Sequence, residues 1–194
     1  RVVELSLVVA VVGIVILFSA IDVEASATIV TVPLLLIGLG MGGLASQLGA
    51  VTVSAVSEDQ SPEVGGLQNT ATQFGASLGT ALAGSILIAS LTSSFLTGIA
   101  QNPDVPPEVV SQADTQLATG AEFISDADLE TALEQAGVDD TTTQAIVDEN
   151  GEARVDGLRS ALALLALFGV MALFFTKRIP TQPPGGPPLE TSAA

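Results

Sequence analysis

The 194-residue chain contains no cysteine, histidine, tryptophan or tyrosine, and only five basic residues. Each absence removes a class of function. Without cysteine there is no disulfide framework, no thiol nucleophile and no cysteine zinc site. Without histidine, the commonest metal ligand and the general base of hydrolase triads are gone. Five bases against 21 acids, at a pI near 4.1, provide no electrostatic surface for nucleic acid. The missing Trp and Tyr remove stacking platforms and the usual aromatic belt of a membrane protein.

Charge as a whole is scarce. Only 13% of residues are charged, where a soluble domain carries roughly a quarter. Mean hydropathy is +0.60, yet the formal net charge is −16. A chain this acidic would ordinarily read as solvated or disordered. The two properties are separated along the sequence. Residues 98–156 hold fourteen acids and one base, Arg154, which is −13 of the −16. Residues 28–57 and 64–100 hold no charge, 2–21 hold only Glu4, and 157–176 only Arg159.

Each uncharged run is long enough to cross a bilayer, which takes about 20 apolar residues. The sequence therefore predicts an all-α membrane protein with a small helical extracellular loop. Its predicted parts are three spans at about 2–21, 28–56 and 65–97, an acidic outer segment at 98–156, and a last span at 157–177. A Pro-rich tail follows over 178–194. Buried soluble helices are the alternative for the two middle runs, but both exceed the length guide for a span. Arg1, the first apolar run and Ala25-Ser26-Ala27 also mimic a secretory signal. Three further spans and the acids Asp22 and Glu24 before the cut weigh against that. Lys177 and Arg178 after the last span predict a cytoplasmic C-terminus for a multi-pass membrane protein, with the acidic segment outside.

Local signals organise the acidic segment. Pro106-Pro107 opens a helix with Val109, Val110, Ala113 and Leu117 on one side and Gly120 beyond its end. Ser125-Asp126-Ala127-Asp128 resembles a capping box, with Ile124 and Leu129 placed as a staple. That helix carries Leu129, Ala132, Leu133 and Ala136 and stops at Gly137. A third helix starts at Asp140, with Ile146 and Val147 as apolar contacts, and can run on into the last span. Calcium loops fail on spacing: counted from Asp126, the sixth residue is Thr131 and the twelfth Gly137, where glycine and glutamate are needed. The expectation is no metal and no cofactor. A solvated helical surface, or a role in concentrating cations, covers the acids.

Gly38-Leu39-Gly40-Met41-Gly42-Gly43 superficially suggests a nucleotide loop. It lies inside an apolar run with no lysine nearby, so close helix packing at Gly38 and Gly42 is the better reading. In the third span, Asn69, Thr72, Gln73, Ala76, Thr80 and Ala83 share one face at about 100° per residue. Leu67, Ala71, Phe74, Leu78 and Ala81 lie opposite, and Gly75 and Gly79 form a small flank. Amides in hydrocarbon are costly unless bonded or wetted. Asn69, Thr72, Gln73 and Thr80 are thus candidates for bracing a neighbouring helix or lining a transport path. Gly38, Gly42, Gly75 and Gly79 are candidate helix-packing positions.

Two blocks, Pro33–Gly43 (PLLLIGLGMGG) and Gly65–Ala81 (GGLQNTATQFGASLGTA), resemble the late helices of the major facilitator superfamily. The likeness is to its fourteen-helix drug:proton antiporter branch, and extends over essentially the whole chain. It implies that the spans are helices eleven to fourteen, with a long outer loop before the last one. The chain would then be a C-terminal fragment, consistent with a start other than Met. Its partners would be the bilayer, the preceding helices of the same transporter and a small lipophilic substrate. The implied function is proton-coupled export of lipophilic or drug-like compounds, not enzymatic catalysis. Proton coupling needs embedded carboxylates; residues 64–103 hold none, and Glu4, at the cytoplasmic end of the first span, reads as interfacial, so the coupling groups are expected outside these helices. The rival readings are a four-span membrane scaffold or sensor whose acidic cap binds a partner, and, more weakly, a secreted acidic domain.

Overall fold

In the computed structural model the chain is all-helical among the described residues, which are 2–23, 25–54, 56, 60–118 and 124–176. Six helices follow in order: α1 (Val2–Ala20), α2 (Ala27–Ser54), α3 (Ser61–Gln101), α4 (Pro107–Ala118), α5 (Asp126–Gln135) and α6 (Asp140–Thr176). Four of them, α1, α2, α3 and α6, are long and apolar enough to cross a membrane. Arg1, Glu24, Gly120, Lys177, Arg178 and the Pro-rich tail lie outside the described residues, and with them the orientation signals and the expected end of α4.

Two helices are longer than a bilayer requires. At ~1.5 Å per residue, α3 is about 60 Å and α6 about 55 Å long. Both continue out of their apolar runs without a break. The expected boundary at 156/157 therefore falls inside α6, and α3 extends past residue 97 to Gln101. The physical reason is local. From Leu67 to Asn102, and again from Thr141 to Thr176, no proline interrupts the backbone ladder. A helix does not stop because its surroundings change from apolar to aqueous.

Helix starts and ends follow local signals. α3 begins with proline in its first turn and Glu63 close to its positive end. At α5, Ser125 Oγ accepts the Asp128 N–H at 3.2 Å, and the Ser125 hydroxyl donates to the Asp128 carboxylate at 2.5 Å. This is one half of a capping box, since the carboxylate takes the hydroxyl instead of the Ser125 backbone N–H. α5 ends in a Schellman turn. Gly137 N–H donates to Glu134 O at 3.0 Å and Val138 N–H to Leu133 O at 3.1 Å, with Gly137 at φ 75°. Asp139 then caps α6, its carboxylate accepting the Thr142 N–H at 3.1 Å. That hydrogen bond is the main cause holding the Asp139 carboxyl below its ordinary range.

The best-buried hydrophobic cluster lies in the acidic segment. Phe95 and Ile99 from the end of α3 meet Val105 and the α6 residues Ala145, Ile146 and Ala153. Val109, Val110, Ala113 and Leu117 of α4, and Leu129 and Leu133 of α5, pack against it. Ala145, Ile146 and Ala153 form the α6 side of this core, while Val147 is only partly buried. The cap is a folded helical unit built on the projecting ends of α3 and α6.

The apolar bundle is sparser. α1 packs along α2 and more lightly against α6, and α3 crosses α6. Large parts of the spans are uncovered. Leu67 and Phe74 on α3 are both 70% exposed.

Candidate functional site

The polar face of α3 lies on its first half, over residues 61–82, where no residue is fully buried. Asn69, Thr72, Gln73 and Thr80 are all exposed there. Thr72 turns its hydroxyl back onto the Gln68 carbonyl at 2.9 Å, the usual way a threonine is satisfied within a helix. Among the described residues the side-chain amides of Asn69 and Gln73 have no hydrogen-bond partner. The four residues share one exposed stretch of a single helix. An amide in hydrocarbon must bond something. This face is therefore available to another helix, to water or to a solute.

The predicted packing glycines sit in open space. A side chain added at Gly38, Gly42, Gly75 or Gly79 would meet nothing within 4 Å. Close helix approach occurs at other glycines. A Cβ on Gly40 would lie 2.6 Å from the Ala10 nitrogen and from the Ser6 carbonyl oxygen. One on Gly13 would lie 2.9 Å from the Ile37 nitrogen and the Pro33 carbonyl. Gly13 and Gly40 thus let the α1 and α2 backbones touch. Gly157 does the same where α6 crosses α3, with its Cβ position 2.9 Å from the Leu87 carbonyl. The sequence signal for Gly40 was present in the same six-residue run, but which of its glycines met a neighbour was not readable.

Reading the residues alone also missed a groove between α3, α6 and the end of α1. It consists of adjoining cavities. One of 360 Å³ is lined by Phe18, Ser90, Ser94, Asp156, Arg159, Ser160 and Ala163. Another of 280 Å³ shares Ser94 and Asp156 and adds Ser93, Thr97, Glu149 and Glu152 among its walls. A third, of 370 Å³, shares Glu152 and adds Asp22, Val23 and Asp148. One wall is hydroxyl-bearing, from α3. The other is carboxylate-bearing, because Asp148, Glu152 and Asp156 recur every four residues on α6.

Specific bonds fix this region. Arg159 donates to the Ile21 carbonyl at 2.8 Å, tying the end of α1 to α6. Its other terminal nitrogen lies 4.0 Å from the Asp156 carboxylate. Ser90 and Ser160 share a hydrogen bond of 2.8 Å across the α3–α6 crossing. Higher up, Asn102 donates to Glu149 at 3.0 Å. Asp126 on α5 accepts from Asn150 at 2.8 Å and from Arg154 at 3.0 Å, clasping the cap to α6.

Comparison with protein-family models, with characterised proteins and with solved structures found no match.

Proposed function

We propose that this chain is the membrane-embedded C-terminal part of a major facilitator permease that exports lipophilic or drug-like compounds in exchange for protons. The observation that carries the reading is the uncovered polar face of α3. Asn69 and Gln73 project from a stretch of 40 residues, 64–103, without a charge, and no described helix satisfies them. Amides are costly in that position unless they face a cavity or partner helix. In this reading Asn69, Thr72, Gln73 and Thr80 line or brace the path. Gly75 and Gly79 receive a helix that is not among the four described spans. A midplane transport cavity needs two related halves, and four helices supply only part of one.

The membrane would be the plasma membrane, with the acidic cap outside and the C-terminus in the cytoplasm. No covalent step is involved. Specificity would come from polar groups in an otherwise apolar cavity. The test is efflux of a lipophilic cation by cells expressing the full-length protein, with and without a proton gradient. Gradient-dependent efflux that falls in Asn69→Leu and Gln73→Leu, at unchanged protein abundance, supports the reading. No efflux across a compound panel counts against it.

The folded cap favours a second reading, a four-span scaffold or sensor. A cap with its own hydrophobic core is more than a solvated connector, and its surface is strongly acidic. That reading expects partner capture by the cap without any gradient-dependent transport.

A further inference from the structure

The groove at the α1–α3–α6 junction lies at the edge of the apolar bundle. Asp156 and Arg159 are the last charges before seventeen uncharged residues, 160–176. Phe18 lies in the last turn of α1, and it and Ala163 are exposed on the apolar side of the 360 Å³ cavity. The cavity thus straddles the boundary between charged and uncharged surface. Its size is at the lower end for a small-molecule site.

Its polar side carries both signs of charge. The Arg159 guanidinium is held by its bond to the Ile21 carbonyl, so its remaining N–H groups have a fixed direction. Its contact with Asp156 is loose, at 4.0 Å, and the two side chains are 39% and 53% exposed. Neither charge is consumed by the other. Ser94 lines this cavity and the adjoining one, where Glu149 and Glu152 add carboxylates beside Asp156.

We propose that this groove holds the head group of a phospholipid bearing a phosphate and a primary ammonium, with its acyl chains running past Phe18 and Ala163. The phosphate accepts from Arg159 and Ser94. The ammonium donates to Asp156 and Glu152. An anionic head group also offers a phosphate, but its net negative charge is repelled by Asp156, Glu149 and Glu152. A choline head group carries the positive charge but has no N–H to donate. Basic pockets between membrane helices bind lipid head groups on the same principle, and the carboxylates here narrow the choice to an ethanolamine head group. The proposal rests on the four apolar helices crossing a bilayer, and it is independent of transport.

The test uses the full-length protein, purified in detergent and stripped of lipid. Short-chain phosphatidylethanolamine, phosphatidylcholine and phosphatidylglycerol are titrated in turn, and bound lipid is counted by native mass spectrometry. Phosphatidylethanolamine is expected to bind about tenfold more tightly than the other two, the worth of one charge-assisted hydrogen bond. Asp156→Asn and the exposed Glu152→Gln should each erode that preference, and Ser94→Phe should abolish binding by filling the cavity. Thermal unfolding without lipid identifies any variant that has lost its fold, and Glu152→Gln keeps the test open if the others have. Equal binding of the three lipids, or an unchanged preference in folded variants, overturns the proposal. So does free phosphoethanolamine binding as tightly as the lipid, which would make the ligand a soluble compound. Resistance to alkaline extraction reports separately on whether the helices are embedded at all.

Discussion

At the scale of single residues, glycine identity matters less than glycine register. Gly38 and Gly40 are two positions apart in one helix, yet only Gly40 lies against another backbone. Gly40→Ala should destabilise the α1–α2 pair by about 1–3 kcal/mol, because the new methyl overlaps the Ala10 nitrogen and the Ser6 carbonyl. Gly38→Ala in the same chain should change stability by less than about 0.5 kcal/mol. Thermal unfolding of the purified chain in detergent compares the two, and equal losses would remove the distinction. Asp139 makes a pH prediction. Its carboxyl is held down chiefly by the Thr142 N–H. The folded-state value lies below the unfolded one, so its contribution is present above the ordinary aspartate range and is lost as pH falls through the lower, folded value. The Asp139 carboxyl carbon, followed by NMR, should titrate below an ordinary aspartate. Asp139→Asn should keep the start of α6 while removing that pH dependence.

At the scale of elements, capping and packing act together. The sequence marks the ends of α5 because Ser125 and Gly137 carry their effect within four residues. It likewise indicates the apolar side of α4, where Val109, Val110, Ala113 and Leu117 pack on the cap core, but only half of that expected for α5: Leu129 and Leu133 pack there, while Ala132 and Ala136 are exposed. It does not mark the far partners of that core: Phe95 falls in the run read as the third span, 65–97, and Ile99 just beyond it, yet both stand on α3. Ile99 is 1% exposed and central. Ile99→Ala should cost about 2–5 kcal/mol and loosen the cap while the apolar bundle persists. Limited proteolysis of residues 102–139 should rise sharply in this variant. Unchanged protection would show that the cap does not depend on α3.

For the molecule as a whole, two kinds of surface remain uncovered. The lipid-like faces of α1 and α2 need only hydrocarbon. The face of α3 bearing Asn69, Gln73, Gly75 and Gly79 needs something polar or small-sided against it. Gly79→Leu separates the possibilities. In this chain by itself the substitution meets open space and should leave stability unchanged. In the full-length protein it should reduce abundance or gradient-dependent efflux if a further helix packs there. Unchanged abundance and transport in the full-length variant would refute the packing role.

Taken alone, the sequence determined where the helices are, which of them suit a bilayer, and that the negative charge is gathered in one capped helical segment. Those properties depend on uncharged runs and on capping residues acting over a few positions. The tertiary structure decided which glycines carry the α1–α2 contact, that α3 and α6 continue unbroken into the cap, and that three helices enclose a groove of mixed charge. Helices apolar on every side have no sequence-readable direction. Their rotation about their own axes is set by backbone contact and by a few bonds such as Arg159 to the Ile21 carbonyl, between residues 138 positions apart.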